Sequence, residues 1–568
     1  MLNRSYRYPL VSCLPLLWLA VGCNSGTTVR QTVIVSGQAQ SAIPERLKSI
    51  VTSGTLADLR WSSFADCKEQ VQQLYQAEDY VPIWERNGQV TPQGLAVIAA
   101  LESSEQKGLN PQDYDTGLWS PRVAAFKAAV NDADLAARFD VALTVSVMRY
   151  ISDLHIGRAN PNKPSFSIAV QGKNYGLAEF VAQKILPADN VQAVLNTAEP
   201  QYEGYQRTEN ALRAYVVLAK EEHDTPLKQP IKSPHPGEAY SDIDQLAQHL
   251  RARGDLPQSA SVNSTSGIYD GALVDAVKHF QVRHGISPNG KIGPQTIREL
   301  NIPLSVRVTQ LNDSLERWRW LPQEFSTLPV AVNIPEFVLR VFSPDHRIAL
   351  RMNVVVGKAF GHKTPVFAKN MKYIVFRPYW NIPLSIVRSE IVPALRKNSS
   401  YLSRKRLEIT DQGGHVITSG VASANELTQL QSGRLMVRQK PGPDNALGLV
   451  KFMFPNEYNI YLHSTPTPQL FSQSRRDFSH GCIRVQQPAE LAAFLLQNQP
   501  EWTLEKIKAA MESGPDNRQV NLLAPVPVVI VYMTAVVEEN GEVYFFDDIY
   551  GNDSSLNDQL AKGRPYSH

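Results

Sequence analysis

Cys482 stands in the run Phe478-Ser479-His480-Gly481-Cys482-Ile483-Arg484-Val485, and just upstream the apolar run Ile460-Tyr461-Leu462 ends in His463-Ser464-Thr465. A thiol attacks a carbonyl only as thiolate, so a reactive cysteine needs a neighbouring base, and His463 and His480 are the two candidates. Gly481 lets the backbone come close to a substrate carbonyl, and the amides of Gly481 and Cys482 are candidate donors to a developing oxyanion. On an extended segment residues two apart share a face, so spacing keeps His480 open as the base. His463 lies 19 residues before the thiol and reaches it only if the fold brings two strand ends together. No acidic residue stands close to His463, which leaves the Ser464 main-chain carbonyl to orient its ring. Arg484 is fixed positive and suits either a substrate carboxylate or a bracing fork within the loop.

The order strand, His-Ser-Thr, loop, Ser-His-Gly-Cys-Ile-Arg, helix resembles the L,D-transpeptidase catalytic family, in which a cysteine cross-links peptidoglycan stems. The resemblance also covers Val354-Val355-Val356-Gly357-Lys358 with Thr364-Pro365-Val366-Phe367, and Tyr379-Trp380-Asn381-Ile382-Pro383. It continues through Arg438-Gln439-Lys440-Pro441-Gly442-Pro443 with Asn445, Leu447-Gly448 and Lys451-Phe452. What it implies is Cys482 as nucleophile, His463 as general base and His480 in support; Trp380, Arg438, Asn445 and Tyr461 are candidates for pocket walls or for core. The implied reaction passes through a thioester on Cys482, with loss of a terminal D-Ala from a peptidoglycan tetrapeptide stem. A second stem's amine then gives a 3→3 cross-link, water gives L,D-carboxypeptidase activity, and a free D-amino acid gives exchange. Attachment of a lipoprotein to the wall, or wall binding by a catalytically silent domain, are the other readings. Inhibition by carbapenems is implied as well, and no cofactor is.

Composition narrows the rest. Net charge is +3 over 568 residues, which gives no electrostatic case for nucleic acid; the short run Arg404-Lys405-Arg406 reads as a solvated face. Four cysteines are too few for a disulfide scaffold, none has metal spacing, and the histidines are scattered, so no metal site is expected. Arg4 and Arg7 precede an apolar run to Gly22 that is short for a bilayer span, the pattern of an export signal over 1–22. Leu19-Ala20-Val21-Gly22-Cys23 resembles a lipoprotein processing box, with Cys23 acylated, Ala20 departing from the usual leucine, and Asn24 favouring the outer membrane. The expected location is the periplasm, lipid-anchored to the outer membrane; a soluble periplasmic or inner-membrane-anchored protein is the alternative. Cys67 and Cys482 then remain as free thiols in the body.

The length implies a multidomain α+β chain. A Ser/Gly/Thr/Gln/Val-rich tether over 23–43 leads to a helical scaffold over 44–235, where Val71, Leu74 and Tyr75 or Val141, Leu143, Val147 and Ile151 recur at helical spacing. A three-helix bundle over 236–302 follows, with Ser241 as cap of its first helix. Phe280-Gln281, His284-Gly285-Ile286, Asn289-Gly290, Ile292-Gly293 and Thr296 in it resemble the small peptidoglycan-binding domain of bacterial wall enzymes. A helix within 303–328 carries Trp318 and Trp320 back onto the scaffold. Apolar strand runs then mark a mainly β catalytic domain over 329–500, interrupted by a polar lid at about 386–435. A C-terminal helix and hairpin over 501–568, with a type I′ turn at Asn540-Gly541, extend the β domain.

Overall fold

The computed structural model describes residues 35–564 except 130–131, 160–174, 224, 324, 326 and 328. The export signal, Cys23 and most of the tether lie outside the described residues. The first helix, Val35–Ser53, already occupies the end of the segment expected as tether. No helix among the described residues is long and apolar enough to cross a membrane.

The helical spacing holds in the first body. Val71, Leu74 and Tyr75 are the buried face of Lys68–Ala77. Helix Ala133–Ile156 is buried on nearly every side and forms the centre of the first core; Asp132 caps it by accepting the Asp134 and Leu135 amides. Helix Leu304–Arg319 returns to pack on Glu203–Lys220. Of its two tryptophans only Trp318 stays with that helix, 5.7 Å from the Tyr202 ring. Trp320 instead enters the core of the β domain beside Ala159, which makes this helix the joint between the two bodies.

The bundle consists of Ile243–Ala252, Gly271–Arg283 and Pro294–Leu300 around a core of its own. Ser241 does not cap the first helix: its hydroxyl turns to Asp242, which occupies the cap position without a side-chain bond to the helix. The bundle's motif residues hold one turn together. Buried Gln281 donates to Lys291 O (2.9 Å) and Thr296 Oγ1 (3.1 Å) and accepts from the Gly290 amide (2.9 Å).

The β domain is a closed sheet. Its strands are β1 (Val330–Asn333), β2 (Val338–Phe342), β3 (Ile348–Gly357), β4 (Phe367–Phe376), β5 (Val450–Met453), β6 (Leu462–His463), β7 (Asp477–Ser479), β8 (Ile483–Val485) and β9 (Arg518–Val531). They run β7-β3-β8-β6-β5-β4-β9-β1-β2. Closure comes from β3, which pairs with β2 along its first half and with β8 along its second. Alternating Val, Ile, Leu and Phe from these strands fill the interior, as period-two burial requires.

Three expectations fail here. Residues 380–439 do form an excursion, yet it is a subdomain rather than a polar loop. Strands Trp380–Asn381, Met436–Gln439, Leu407–Thr410 and Val416–Thr418 make a separate sheet in that order. Ile386, Val387, Ile391, Val392, Leu395, Leu402 and Leu430 give it a core of its own. The C-terminal hairpin, Ala535–Val537 with Val543–Phe545, forms its own two-stranded sheet instead of extending the barrel. Its apolar face packs on the scaffold and returning helices through Tyr215, Leu311 and Phe545. Its turn is wider than type I′, because Glu538 N donates to Glu542 O (3.0 Å) and only Gly541 takes a positive φ (+84°).

Candidate active site

The site lies where β6 and β8 run parallel. Leu462 opposes Ile483 and His463 opposes Arg484, and Ile483 N donates to Tyr461 O (3.1 Å). Because side chains alternate along each strand, Tyr461, His463, Cys482 and Arg484 share one face. The fold therefore brings a thiol, an imidazole and a guanidinium together from two short strands separated by a long loop.

His463 is buried, and Nδ1 donates to Ser464 O at 2.5 Å, which leaves Nε2 as the basic nitrogen. Burial, and then the Arg484 charge, push its pKa down to about 3, so the ring is neutral. The Leu447 carbonyl also meets this ring, and Gly448 (φ +63°) makes that approach possible: a Cβ there would sit 2.6 Å from Ser464 Oγ and Thr465 N.

Cys482 is a partly exposed, unpaired thiol, and Cys67, buried in the scaffold, is unpaired too. Sγ points at Asn459 O (3.7 Å), and the Tyr461 phenol, itself met by the Trp380 side chain, lies against it. No hydrogen bond joins Sγ to His463. Burial pushes the thiol up to about 11, against the milder pull of Tyr461 and Arg484, so both partners rest neutral and no charge attraction draws them together. For Sγ to meet Nε2 it must turn away from Asn459. A raised thiol pKa makes thiolate rare at neutral pH. Alkylation of Cys482 by iodoacetamide should accordingly keep climbing with pH toward about 11, and a plateau reached below neutrality would show a preformed thiolate–imidazolium pair instead.

The catalytic loop is braced from within. Ser479 Oγ accepts from the Gly481 amide (3.1 Å) and donates to Cys482 O. The Gly481 amide is thereby engaged and does not serve as an oxyanion donor, whereas the Cys482 amide has no partner among the described residues and remains the candidate. Gly481 (φ +113°) stacks its backbone on Gly357: a Cβ on Gly357 would meet Gly481 Cα at 3.0 Å. Thr364 ties the two together, accepting from Gly357 N (2.9 Å) and donating to Gly481 O (2.7 Å). The Tyr550 hydroxyl, from the C-terminal extension, donates to Gly357 O and accepts from Thr364 N.

The remaining site candidates separate. His480 faces outward, its Nε2 2.8 Å from Glu390 Oε1 on the subdomain and its ring 4.6 Å from that of His362. Arg484 Nη1 donates to Thr467 Oγ1 (3.2 Å), while Nε is buried without a partner among the described residues. Trp380 meets the Tyr461 phenol, which lies against Cys482. Arg438 is held by Glu408 (2.9 Å) and lies over the Tyr379 ring, 4.2 Å away. Asn445 is no pocket wall: it is 1% exposed and its amide ties Pro378 O and Lys440 O together, bracing the loop that carries Leu447. Sequence reasoning missed Ser479, Thr364, Tyr550 and Glu390 as site residues. Thr364 stood in a quoted motif without a role, and Tyr550 had no local signal.

Residues 330–528 match the family described as "L,D-transpeptidase catalytic domain". Residues 240–300 match "Putative peptidoglycan binding domain", and residues 69–212 match "Scaffold domain". A curated protein of Haemophilus influenzae, "Putative L,D-transpeptidase", is 30% identical over 268 residues, 46% of this chain and 53% of the relative. The match thus spans about half the length of that relative.

Proposed function

From a chain that carries an L,D-transpeptidase catalytic domain and a peptidoglycan-binding domain, we propose an exported enzyme that forms 3→3 cross-links between peptidoglycan tetrapeptide stems. The observation that carries this reading is the shared face of Cys482, His463 and Arg484 on two parallel strands. Cys482 Sγ attacks the carbonyl of the third stem residue as His463 Nε2 takes its proton. The Cys482 amide receives the oxyanion, and the proton passes to the departing D-Ala amine, leaving a thioester. The acceptor stem's amine then attacks and gives its proton to His463. The new amide bond replaces the thioester, and the thiol is restored. Arg484 supplies the fixed charge beside both reacting groups.

The subdomain over 380–439 acts as cover, delaying water until the amine arrives. The signal-like N-terminus and the processing-box likeness at Cys23 support a periplasmic enzyme, lipid-anchored to the outer membrane. A carbapenem acylates the same thiol. Purified protein incubated with disaccharide-tetrapeptides should release D-Ala and yield dimers. Monomeric products alone would assign hydrolysis or exchange, and no reaction at all would remove the catalytic reading.

A further inference from the structure

The chain's excess positive charge is not spread evenly. Residues 380–439 hold eight Lys/Arg against four Asp/Glu, net +4 within a chain of net +3, so everything outside the subdomain sums to −1. Arg388, Arg396, Lys397, Arg404, Lys405 and Arg434 are exposed, and none forms an ion pair among the described residues. The subdomain's carboxylates are engaged elsewhere: Glu408 takes Arg438 and Lys440, Glu390 takes His480, and Asp411 takes His415. A solvated surface normally intersperses both signs, and this one does not.

Its placement adds a second observation. The run Leu384–Lys397 that carries Arg388, Arg396 and Lys397 also carries Glu390, which reaches His480 two residues from the thiol. Arg406, next to Arg404 and Lys405, donates to Pro441 O at the start of the loop that supports His463. Arg388 and Arg396 both donate to Gln431, the first to its carbonyl (2.8 Å) and the second to its Oε1 (3.1 Å), which gathers this run's charge in one place.

We propose that this basic face is a docking surface for an anionic peptide polymer, the carboxylate-bearing stems of peptidoglycan, and that it holds the strand from which a stem enters the cleft. The proposal rests on the function proposed above. Charge of one sign beside a cleft raises the local concentration of an oppositely charged substrate without fixing its register, which suits a polymer offering many equivalent stems. The exposed Val416, Ile417 and Val421 lie on and just beyond the outermost strand, away from the Trp380 strand. They point to the rival occupant, an anionic lipid surface, which the test must separate.

The test uses full-length protein carrying Cys482→Ala, so that nothing turns over, with and without K397E, R404E and K405E. Retention on purified sacculi at low ionic strength should fall about tenfold with the three substitutions, the lower end of what electrostatic focusing supplies. The difference should vanish near 1 M salt, where screening acts within about 3 Å. The neutral set K397Q, R404Q and K405Q should fall between the two, a gradation that misfolding would not produce. Equal retention at every salt concentration overturns the proposal. So does loss of binding to phosphatidylglycerol vesicles with sacculus binding intact, since the face would then dock on lipid. Carbapenem acylation of the same charge variants with Cys482 restored should be unchanged. If even the unsubstituted protein is not acylated, the catalytic reading falls while the sacculus result still stands.

Discussion

Cys482→Ser should abolish release of D-Ala and formation of dimers, a loss of at least about 10³-fold, while the melting temperature stays unchanged. Burial of most of the side chain holds the thiol above its usual pKa, and the proposed mechanism therefore passes its proton to His463 in step with attack. A serine hydroxyl is far less acidic than even this thiol, and a neutral, desolvated imidazole is a poor base for it. The fold should not notice the exchange. Sγ meets Asn459 O at 3.7 Å and the Tyr461 backbone amide and phenol, contacts that a hydroxyl can keep, and the loop's bracing runs through Ser479, Thr364 and Gly357. Near-normal dimer formation by this variant would remove the cysteine mechanism, and a large drop in melting temperature would mean that the thiol is structural.

The second large effect is expected at the histidines, and it is a ranking. His463→Ala should lose about 10²- to 10⁴-fold, the range that removal of a general base costs, and His480→Ala should lose much less. The reason is orientation. His463 is locked by Ser464 O with one nitrogen left on the face it shares with Cys482, whereas the His480 ring is turned to Glu390 and His362. Turnover on soluble tetrapeptides for the two variants checks this, and the reverse order would make His480 the base.

The chemistry was more legible in the sequence than its support. Cys482 and His463 announce themselves because nucleophile and base are defined by residue type and by the ends of apolar runs. The register that unites them, Leu462 opposite Ile483, is a tertiary fact, though one that alternation makes easy to anticipate. The oxyanion assignment half fails at Gly481, since a serine two residues earlier takes its amide and no pattern of residue types reveals a hydroxyl rotor. The excursion was misread as polar because its apolar residues, such as Ile386, Ile391 and Leu395, recur at helical spacing and are diluted by a wholly exposed opposite face. The hairpin's position was right and its partner wrong: local pattern locates a turn, but which body a two-stranded ribbon packs on is decided by surface elsewhere, here Tyr215 and Leu311. Tyr550 lies 193 residues from the Gly357 that it holds, beyond the reach of any local signal.

The most direct test of the central claim is intact-protein and peptide mass spectrometry after exposure to a carbapenem. The account predicts a single adduct with the mass of the drug, carried by the peptide containing Cys482, absent in Cys482→Ser and formed slowly in His463→Ala. An adduct on Cys67, or no adduct on a folded protein, would contradict it.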